Sequence, residues 1–269
     1  MSLARTTEAE VEFFAVGRAF PPAQRRQGGS SVPHLVVRDV SLTVRAGEVL
    51  AILGASGCGK STLLRIAAGL DSPTTGAVRI DQLPVAGIDR RCAVAFQEPR
   101  LLPWRTLEDN VALGLPPGTP REEGRHRVRE LLALVDLTSF AHHRPREVSG
   151  GMAQRTALAR ALARDPGVLL LDEPFGSLDA LTRLRMQDLL LDVHAAAPTT
   201  VLLVTHDVDE ALQLADRVIL LGQEPGREGS TIRQVLTVPG ERPRDRGSAE
   251  LAELRAGLLE GLGVSRLTH

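Results

Sequence analysis

The feature that most constrains the fold is a glycine-rich segment that ends in a lysine and a serine. The residues Gly54-Ala-Ser-Gly-Cys-Gly-Lys60-Ser61 have the spacing G-x-x-x-x-G-K-[ST], which is typical of loops that bind phosphate. They follow Val49 to Leu53, an apolar run expected of a strand buried on both faces, and a helical pattern runs on to about Leu70. This order of strand, phosphate-binding loop and helix predicts an α/β fold that binds a nucleotide.

The residue types in this loop suit ATP and Mg²⁺ as cofactors. Glycines let the backbone curl until several N–H groups point at one phosphate, and the helix N-terminus adds partial positive charge there. Lys60 is expected to reach the β- and γ-phosphates during catalysis, and Ser61 to place its hydroxyl on magnesium. The predicted nucleotide-binding residues of the loop are Gly54, Ala55, Ser56, Gly57, Cys58, Gly59, Lys60, Ser61 and Thr62.

The use of basic residues singles out the same position. Lys60 is the only lysine among 32 basic residues, and the other 31 are arginine. A coding bias that favours arginine explains the excess at the other positions, and it makes the exception at position 60 informative. A compact ammonium on a flexible stem differs from a planar guanidinium, which indicates that phosphate chemistry selects the lysine.

Two acids follow a second buried strand, Val168 to Leu171. In a parallel sheet, ligands bind beyond the carboxyl ends of the strands. Asp172 is therefore expected to hold magnesium, directly or through water, and Glu173 to polarise the attacking water as a general base. The alternative is a pair of solvated loop acids after a core strand, and the phosphate loop favours the catalytic interpretation.

Two further polar residues end predicted strands. His206 follows the strand Val201 to Val204 and is expected to hydrogen-bond the γ-phosphate or the water. Gln97 ends the strand Cys92 to Phe96, and its amide suits a group that contacts magnesium and water together. A lone histidine is more often structural, and Gln97 alone is a weak signal, so both assignments depend on their strand-end positions.

The rest of the chain alternates strands with helices, which predicts a parallel sheet with helices on its faces. From Thr106 to Arg164 the patterns are helical, with breaks at Pro116-Pro117, Pro120 and Pro145. Further strands are predicted at Val11 to Phe20, Leu35 to Val44, Arg217 to Leu221 and Thr231 to Val238. Further helices are predicted at Leu181 to Ala195, Val208 to Ala215 and Ala249 to Leu262.

These pieces, in this order, resemble the ATP-binding-cassette (ABC) ATPases. The deciding segment is Val148-Ser-Gly-Gly-Met-Ala-Gln-Arg155, which is similar to the family's signature segment. Val148 and Met152 stand where leucine and glutamine are more usual, but neither change removes the hydroxyl or the backbone donors. Ser177-Leu-Asp179 resembles the loop that crosses the dimer interface, while His206 and Gln97 match the switch histidine and the Q-loop.

The resemblance implies a P-loop NTPase fold, the ABC nucleotide-binding domain. Its core is a mostly parallel sheet, with an antiparallel N-terminal β part and an inserted helical subdomain. The expected boundaries are 1–225 for the ATPase domain, about 98–164 for the helical subdomain, and 226–269 for a C-terminal extension with a terminal helix.

The resemblance also implies that the active unit is a homodimer. Each ATP would lie between the phosphate loop of one copy and the signature segment of the other, with ATP closing the dimer and hydrolysis releasing it. The residues expected to act in trans are Ser149, Gly150, Gly151 and Asp179. In the family an aromatic residue of the first strand stacks on adenine. The chain has no tyrosine, so Phe20 is the candidate and Phe14 the alternative.

A closer resemblance concerns the importers of nitrate, sulfonates and taurine. Phe96-Gln-Glu-Pro-Arg-Leu-Leu-Pro-Trp104 and Leu171-Asp-Glu-Pro-Phe-Gly-Ser-Leu-Asp-Ala-Leu-Thr-Arg183 are typical of that group. The tail Leu236 to Leu262 is most similar to aliphatic-sulfonate importers, with taurine and nitrate as alternatives. The implied partners are two membrane permease subunits and, indirectly, an extracytoplasmic solute-binding protein. The chain would then lie on the cytoplasmic face of the cell membrane.

The apolar run Leu101 to Trp104 lies in a predicted loop and contains the only tryptophan. Exposed apolar clusters usually mark contact surfaces, so this segment is the expected docking site for the permease. The alternative is that Trp104 packs under the helical region.

Composition narrows the possible functions and locations of the protein further. The net charge of −1 argues against a nucleic-acid binder, and no apolar run approaches the roughly 18 residues of a membrane span. The cysteines Cys58 and Cys92 do not suggest a disulfide framework, so a reducing cytoplasm is expected. Two alternative functions are disfavoured. A soluble ABC ATPase that acts on nucleic acid or ribosomes usually has two cassettes in one chain or a long coiled-coil insertion, and this sequence has neither. A non-hydrolysing binding module would not need the intact Lys60, Glu173 and His206.

Overall fold

The computed structural model describes residues 8–21 and 33–263. The strands are β1 (Val11–Phe20), β2 (His34–Val44), β3 (Val49–Leu53), β4 (Thr75–Ile80), β5 (Leu83–Pro84), β6 (Cys92–Ala95), β7 (Val168–Asp172), β8 (Thr200–Val204), β9 (Arg217–Gln223) and β10 (Ser230–Thr237). The helices are α1 (Lys60–Ala67), α2 (Leu107–Ala112), α3 (Arg121–Leu134), α4 (Gly150–Leu162), α5 (Ala180–Ala196), α6 (Val208–Leu214) and α7 (Ala249–Gly261).

The chain forms two compact units. Of the described residues, one unit contains Arg90–Leu202 together with Glu8 and Ala9, and we call it the helical unit. The other contains residues 10–21, 33–89 and 203–263, and we call it the phosphate-loop unit. The boundary falls inside β8, whose first three residues belong to the helical unit.

The phosphate-loop unit is built on seven strands in the order β5-β4-β1-β2-β10-β9-β3. The pairs β1–β2, β1–β4 and β9–β10 are antiparallel, whereas β3 runs parallel to β9 with Ile52 opposite Ile219. All five residues of β3 are buried, as the continuous apolar run predicts. The predicted antiparallel N-terminal part is therefore confirmed, and the strand that carries the phosphate loop lies in the parallel part.

The hairpin of β4 and β5 was not predicted from the sequence. Only Val78 and Ile80 of β4 are buried, and Gly76 interrupts the alternation that indicates a half-buried strand. The helix α1 is also shorter than predicted. It ends at Ala67 because Gly69, with a φ of +68°, turns the chain out of the helix.

The helical unit has parallel strands at its base. Cys92 of β6 lies opposite Val168 of β7, and all residues of β7 are buried. The helix α3 buries Val128, Leu131 and Leu132, which share one face by their three- and four-residue spacing. The helices α3 and α4 both pack against α2. The helical pattern predicted between Thr106 and Arg164 is confirmed.

The C-terminal residues add β10, antiparallel to β9, and the helix α7, which packs against α6 through buried Leu251 and Leu258. Both elements lie within one residue of their predicted bounds. Among the described residues, no helix combines the length and apolar character needed to cross a membrane.

Candidate functional site

The phosphate loop lies where β3 ends, and neighbouring strands fix its backbone. A side chain at Gly54 would begin 2.4 Å from the carbonyl oxygen of Leu221 in β9. A side chain at Gly59 would begin 2.5 Å from the Cγ2 atom of Val37 in β2. Both positions therefore require glycine for lack of space, in addition to any contact with a ligand.

The side chain of Lys60 lies over this loop and is only 6% exposed. Its Nζ atom donates to the carbonyl oxygens of Gly54, at 2.7 Å, and Ala55, at 3.1 Å. These acceptors are neutral, so an anionic phosphate oxygen would be the stronger partner. The predicted role of Lys60 is compatible with this position.

The helix α1 begins directly after the loop. Gly59 precedes it and has no side chain that could cap the helix, so an anion can take the capping role. Ser61 and Thr62 lie in the first turn and are partly exposed. Lys60, Ser61 and Thr62 thus occupy the part of the helix that favours negative charge.

His206 belongs to the same unit and lies in the turn between β8 and α6. The preceding residue, Thr205, is buried, and its N–H donates to the carbonyl of Ile52 in β3 at 3.3 Å. The Thr205 hydroxyl donates to Glu210 at 2.8 Å and accepts from the N–H of Asp207 at 3.0 Å. His206 itself is exposed. Its backbone is therefore tied both to the strand that leads into the phosphate loop and to α6.

The predicted acids lie at the end of β7 in the helical unit. Asp172 is the last residue of the strand and is buried, while Glu173 is partly exposed and has a φ of +48°. This left-handed conformation is unfavourable for a glutamate and is often found at functional sites. A side chain at Gly176 would begin 3.3 Å from Nε2 of Gln97 and 3.7 Å from Oε2 of Glu173. Gln97 and Glu173 therefore border the same small space, which Gly176 leaves open.

Helix α4 holds the segment that contains Gln97. Gln154 is buried and donates from Nε2 to the carbonyl of Phe96 at 3.0 Å. Arg160 donates to the carbonyls of Pro99, at 2.7 Å, and Arg100, at 2.9 Å. Burial lowers the pKa of the Arg160 guanidinium. Neither side chain was predicted as part of the site, because the bonds join residues about sixty positions apart.

The signature segment forms the N-terminus of α4. Ser149 caps the helix by accepting from the N–H of Met152 at 3.3 Å, so its hydroxyl hydrogen can still be donated to an anion. A side chain at Gly151 would begin 2.6 Å from the Cγ2 atom of Thr182 in α5. Ser149, Gly150 and Gly151 are therefore close to the start of α5.

Asp179 caps α5 by accepting from the N–H of Thr182 at 3.0 Å. Hydrogen bonds from Thr182 hold the pKa of the Asp179 carboxyl below its usual value. Because Thr182 also contacts Gly151, the structure brings the four predicted trans residues together within the helical unit.

The adenine-stacking candidate Phe20 lies at the end of β1 and is partly buried. The guanidinium of Arg18 lies 4.3 Å from the centre of its ring, a cation–π distance, and pairs with Asp71 at 2.8 Å. One face of Phe20 is thus covered, and a base would need the other face. The alternative, Phe14, is 58% exposed. Residues 22–32, which follow β1, lie outside the described residues.

The side chain of Trp104 is 68% exposed, so the expectation that it packs under the helical region is wrong. Its loop is shaped by Asn110, which is fully buried. Asn110 accepts from the N–H of Leu102 at 2.8 Å and donates to the carbonyls of Leu102, at 3.2 Å, and Thr106, at 2.8 Å. A buried polar side chain therefore holds this apolar loop at the surface.

The oxygen atoms of Ser61, Gln97 and Asp172 are a hydroxyl, an amide and a carboxylate, the hard donors that Mg²⁺ prefers. No cluster of three or more His, Cys, Asp or Glu side chains able to hold a metal occurs in residues 8–21 and 33–263. Mg²⁺ in nucleotide sites takes few protein ligands and several water and phosphate oxygens, so each of these donor types suits it without such a cluster.

Comparison with known proteins gives consistent matches. The family model described as ABC transporter matches residues 37–176. An aliphatic sulfonates import ATP-binding protein of Xanthomonas axonopodis pv. citri is 49% identical over 233 residues, covering 84% of this chain and 90% of the relative. Its counterpart in Rhodococcus jostii is 52% identical over 227 residues, covering 84% and 87%. The nitrate import ATP-binding protein of Synechococcus elongatus is 43% identical over 268 residues, covering 96% and 93%.

A solved structure has the same fold. It is the dimeric post-hydrolysis state of the ATP-binding cassette MJ0796 bound to ADP and Pi. It aligns with a TM-score of 0.72 and 31% sequence identity, covering 86% of this chain and all of that chain.

We expect Cys58 to be a slow but site-specific target of alkylation. It is buried in the phosphate loop, and burial raises the pKa of its thiol, although the charge of Lys60 opposes the shift. The thiolate, which is the reactive form, therefore appears only at higher pH than in a free cysteine. In a Cys92→Ala variant, iodoacetamide labelling followed by mass spectrometry should rise toward alkaline pH, and ATP should suppress it. In the matched Cys58→Ala variant, the labelling of Cys92 should not respond to ATP. Equal labelling rates of Cys58 with and without ATP would contradict the prediction.

Proposed function

Because the chain belongs to the ABC transporter family, as an ATP-binding ATPase subunit, we propose that it powers the import of aliphatic sulfonates. The observation that carries this solute class is the 49% and 52% identity to sulfonate-import ATP-binding proteins over 84% of the chain. The ATPase subunit does not need to touch the solute, which leaves specificity to the permease and the solute-binding protein.

Nitrate is the second candidate solute. The nitrate-import relative is less identical, at 43%, but its alignment covers 96% of the chain. Both solutes are small anions, so the proposed class of cargo is the same for either one.

The residues that we propose for hydrolysis are those at the strand ends. Lys60 binds the phosphates, while Ser61, Asp172 and Gln97 would hold Mg²⁺, which when bound neutralises charge on the phosphate oxygens. Glu173 polarises the attacking water, and His206 hydrogen-bonds the γ-phosphate or that water. The shared space beside Gly176, bordered by Gln97 and Glu173, supports the idea that these two side chains act on one water molecule.

The second half of each ATP site comes from another copy of the chain. We assign this role to Ser149, Gly150 and Gly151, with Asp179 beside them. The N-terminus of α4, with a serine hydroxyl able to donate, is suited to bind the γ-phosphate of a nucleotide held by the partner. ATP would then close the dimer and hydrolysis would open it.

The helical unit supplies the proposed contact with the membrane permease. Trp104 presents an exposed aromatic surface on a loop that Asn110 holds rigidly. The following helix α2 borders, with α3, a surface cleft of about 730 Å³ lined by Glu108, Asp109, Arg121 and Arg125 among others. An apolar anchor beside a charged cleft suits a permease helix that lies at the cytoplasmic face of the membrane.

The domain boundaries that we propose are those implied by the resemblance to the ABC ATPases. We propose an ATPase domain at residues 1–225, with a helical subdomain at about 98–164 inserted in its core, and a C-terminal extension at 226–269.

The solute can be tested by reconstituting the chain with two permease subunits and the solute-binding protein in vesicles. ATP hydrolysis should be stimulated by binding protein loaded with an aliphatic sulfonate, and less by protein loaded with taurine or nitrate. Stimulation by nitrate alone would replace sulfonate with the second candidate. If no anion-loaded binding protein stimulates hydrolysis, the import proposal is wrong.

Glu173→Gln should bind ATP and lose hydrolysis by about 10²–10⁴-fold, because an amide cannot accept the proton of the attacking water. With ATP present, the variant should elute from a sizing column as a dimer. Glu123→Gln, which removes an exposed acid of α3, is the matched control and should behave as wild type. Wild-type turnover by Glu173→Gln would refute the assignment of the base.

Trp104→Ala should weaken binding of the chain to the permease by about tenfold or more, as expected when a central aromatic anchor is truncated. ATP binding by the isolated chain should remain at the wild-type level. Ile88→Ala removes another exposed apolar side chain, 75% exposed, and is the control for general surface effects. Unchanged affinity of Trp104→Ala for reconstituted permease would reject the docking surface.

A further inference from the structure

Three arginines of the C-terminal extension contact the helix α6, which begins two residues after His206. They are Arg242 and Arg244, in the segment after β10, and Arg255 in α7. These contacts lie wholly within the phosphate-loop unit. They are of interest because the position of α6 bears directly on the position of His206.

Arg244 binds the C-terminal end of α6. It is 9% exposed, and its Nη1 atom donates to the carbonyls of Leu212, at 3.0 Å, and Gln213, at 3.2 Å. Nε and Nη2 donate to the carbonyls of Pro239, at 2.9 Å, and Val238, at 3.3 Å. The guanidinium thus joins the end of α6 to the chain that leaves β10.

Arg242 completes the same helix end. Its Nη1 atom donates to the carbonyl of Leu214 at 2.9 Å, and Nη2 pairs with Asp216 at 3.2 Å. Helices normally leave the carbonyls of their last turn without partners within the helix. In α6 the carbonyl of Ala211 accepts from the N–H of Ala215, and the next three carbonyls accept from the two arginines. The extension therefore caps the whole last turn.

The N-terminal end of α6 is also held by the extension. Asp209, in its first turn, pairs with Arg255 of α7, and α7 packs along α6 with Leu251 and Leu258 buried. Both ends of the short helix are thus bound by residues from one C-terminal segment.

His206 is linked to α6 by two neighbouring residues. Asp207 caps α6 by accepting from the N–H groups of Asp209, at 2.9 Å, and Glu210, at 3.1 Å. Thr205 binds the side chain of Glu210 in the same helix. A shift of α6 by a fraction of an ångström would therefore move the residue between Thr205 and Asp207.

We propose that residues 238–261 form a clamp that positions His206 for hydrolysis, with Arg244, Arg242 and Arg255 as positioning residues that act through α6. This rests on the catalytic role of His206 in the proposed function. Loss of the clamp should affect ATP hydrolysis and not ATP binding. The phosphate loop can bind ATP without the clamp, whereas hydrolysis requires His206 at the correct distance from the reacting atoms.

The test is a double-mutant cycle on ATP hydrolysis by the full-length chain. Arg244→Met should lower kcat by about tenfold and leave the KM and Kd for ATP unchanged, because a small displacement of a catalytic group costs rate and not binding. In a His206→Ala background, the same change should have an effect below about twofold, since residues that act through one group are not additive. Arg255→Ala should show the same pattern with a smaller loss of about two- to threefold.

Controls separate positioning from a loss of folding. Arg233→Met, in β10, removes an arginine that binds Gln223 and no residue of α6, and should keep the wild-type kcat. If Arg244→Met does not fold, Arg255→Ala decides alone, because its ion pair is exposed. If Arg244→Met lowers kcat by the same factor in the wild-type and His206→Ala backgrounds, the clamp is wrong but the proposed function stands. The same holds if both arginine variants keep the wild-type kcat while His206→Ala is inactive. Wild-type turnover by His206→Ala would instead refute the role of His206 in the proposed function.

Discussion

The phosphate loop has its shape because the sheet beside it leaves no space for side chains at two of its glycines. The carbonyl of Leu221 in β9 approaches Gly54, and the side chain of Val37 in β2 approaches Gly59. Lys60 lies over the loop, where it donates to two loop carbonyls. The turn of His206 is bonded to β3 as well, through Ile52. The strands around β3 therefore restrict which residues the loop can contain at these two positions.

Helix α4 has a comparable role in the helical unit. Its N-terminus carries Ser149, and its body binds the backbone of the Gln97 segment through Gln154 and Arg160. One rigid helix thus joins the residues proposed to act on the partner's nucleotide to the segment that carries Gln97. The Trp104 loop follows that segment within a few residues. In the proposed function, in which a permease docks at Trp104, the hydrogen bonds between α4 and the segment that precedes Trp104 are a physical route for coupling transport to hydrolysis.

The predictable parts of this structure are those in which a local pattern has a single physical explanation. β3, β7 and β8 are short apolar runs buried on both faces, and each was predicted to within one residue. The polar residues after these strands could be selected by type and position alone. The strand β4 could not be predicted from its residue pattern, because only two of its residues are buried. The roles of Gln154 and Arg244 could not be predicted either, since Gln154 binds the carbonyl of Phe96 and Arg244 those of Leu212 and Gln213, which are distant in sequence and which no residue pattern marks.

The structure also gives a physical reason for the distribution of basic residues. Arg160, Arg155 and Arg244 each bind two or more backbone carbonyls, which a planar guanidinium with five donors can do and a single ammonium does less well. Such contacts hold backbone segments together, and a planar group with several donors can make more than one of them at once. Lys60 has the opposite requirement. Its ammonium also binds two carbonyls, but the proposed function needs it to exchange them for phosphate oxygens in every cycle. A compact cation on a flexible stem can make that exchange inside a crowded loop, so a lysine suits the role proposed for position 60.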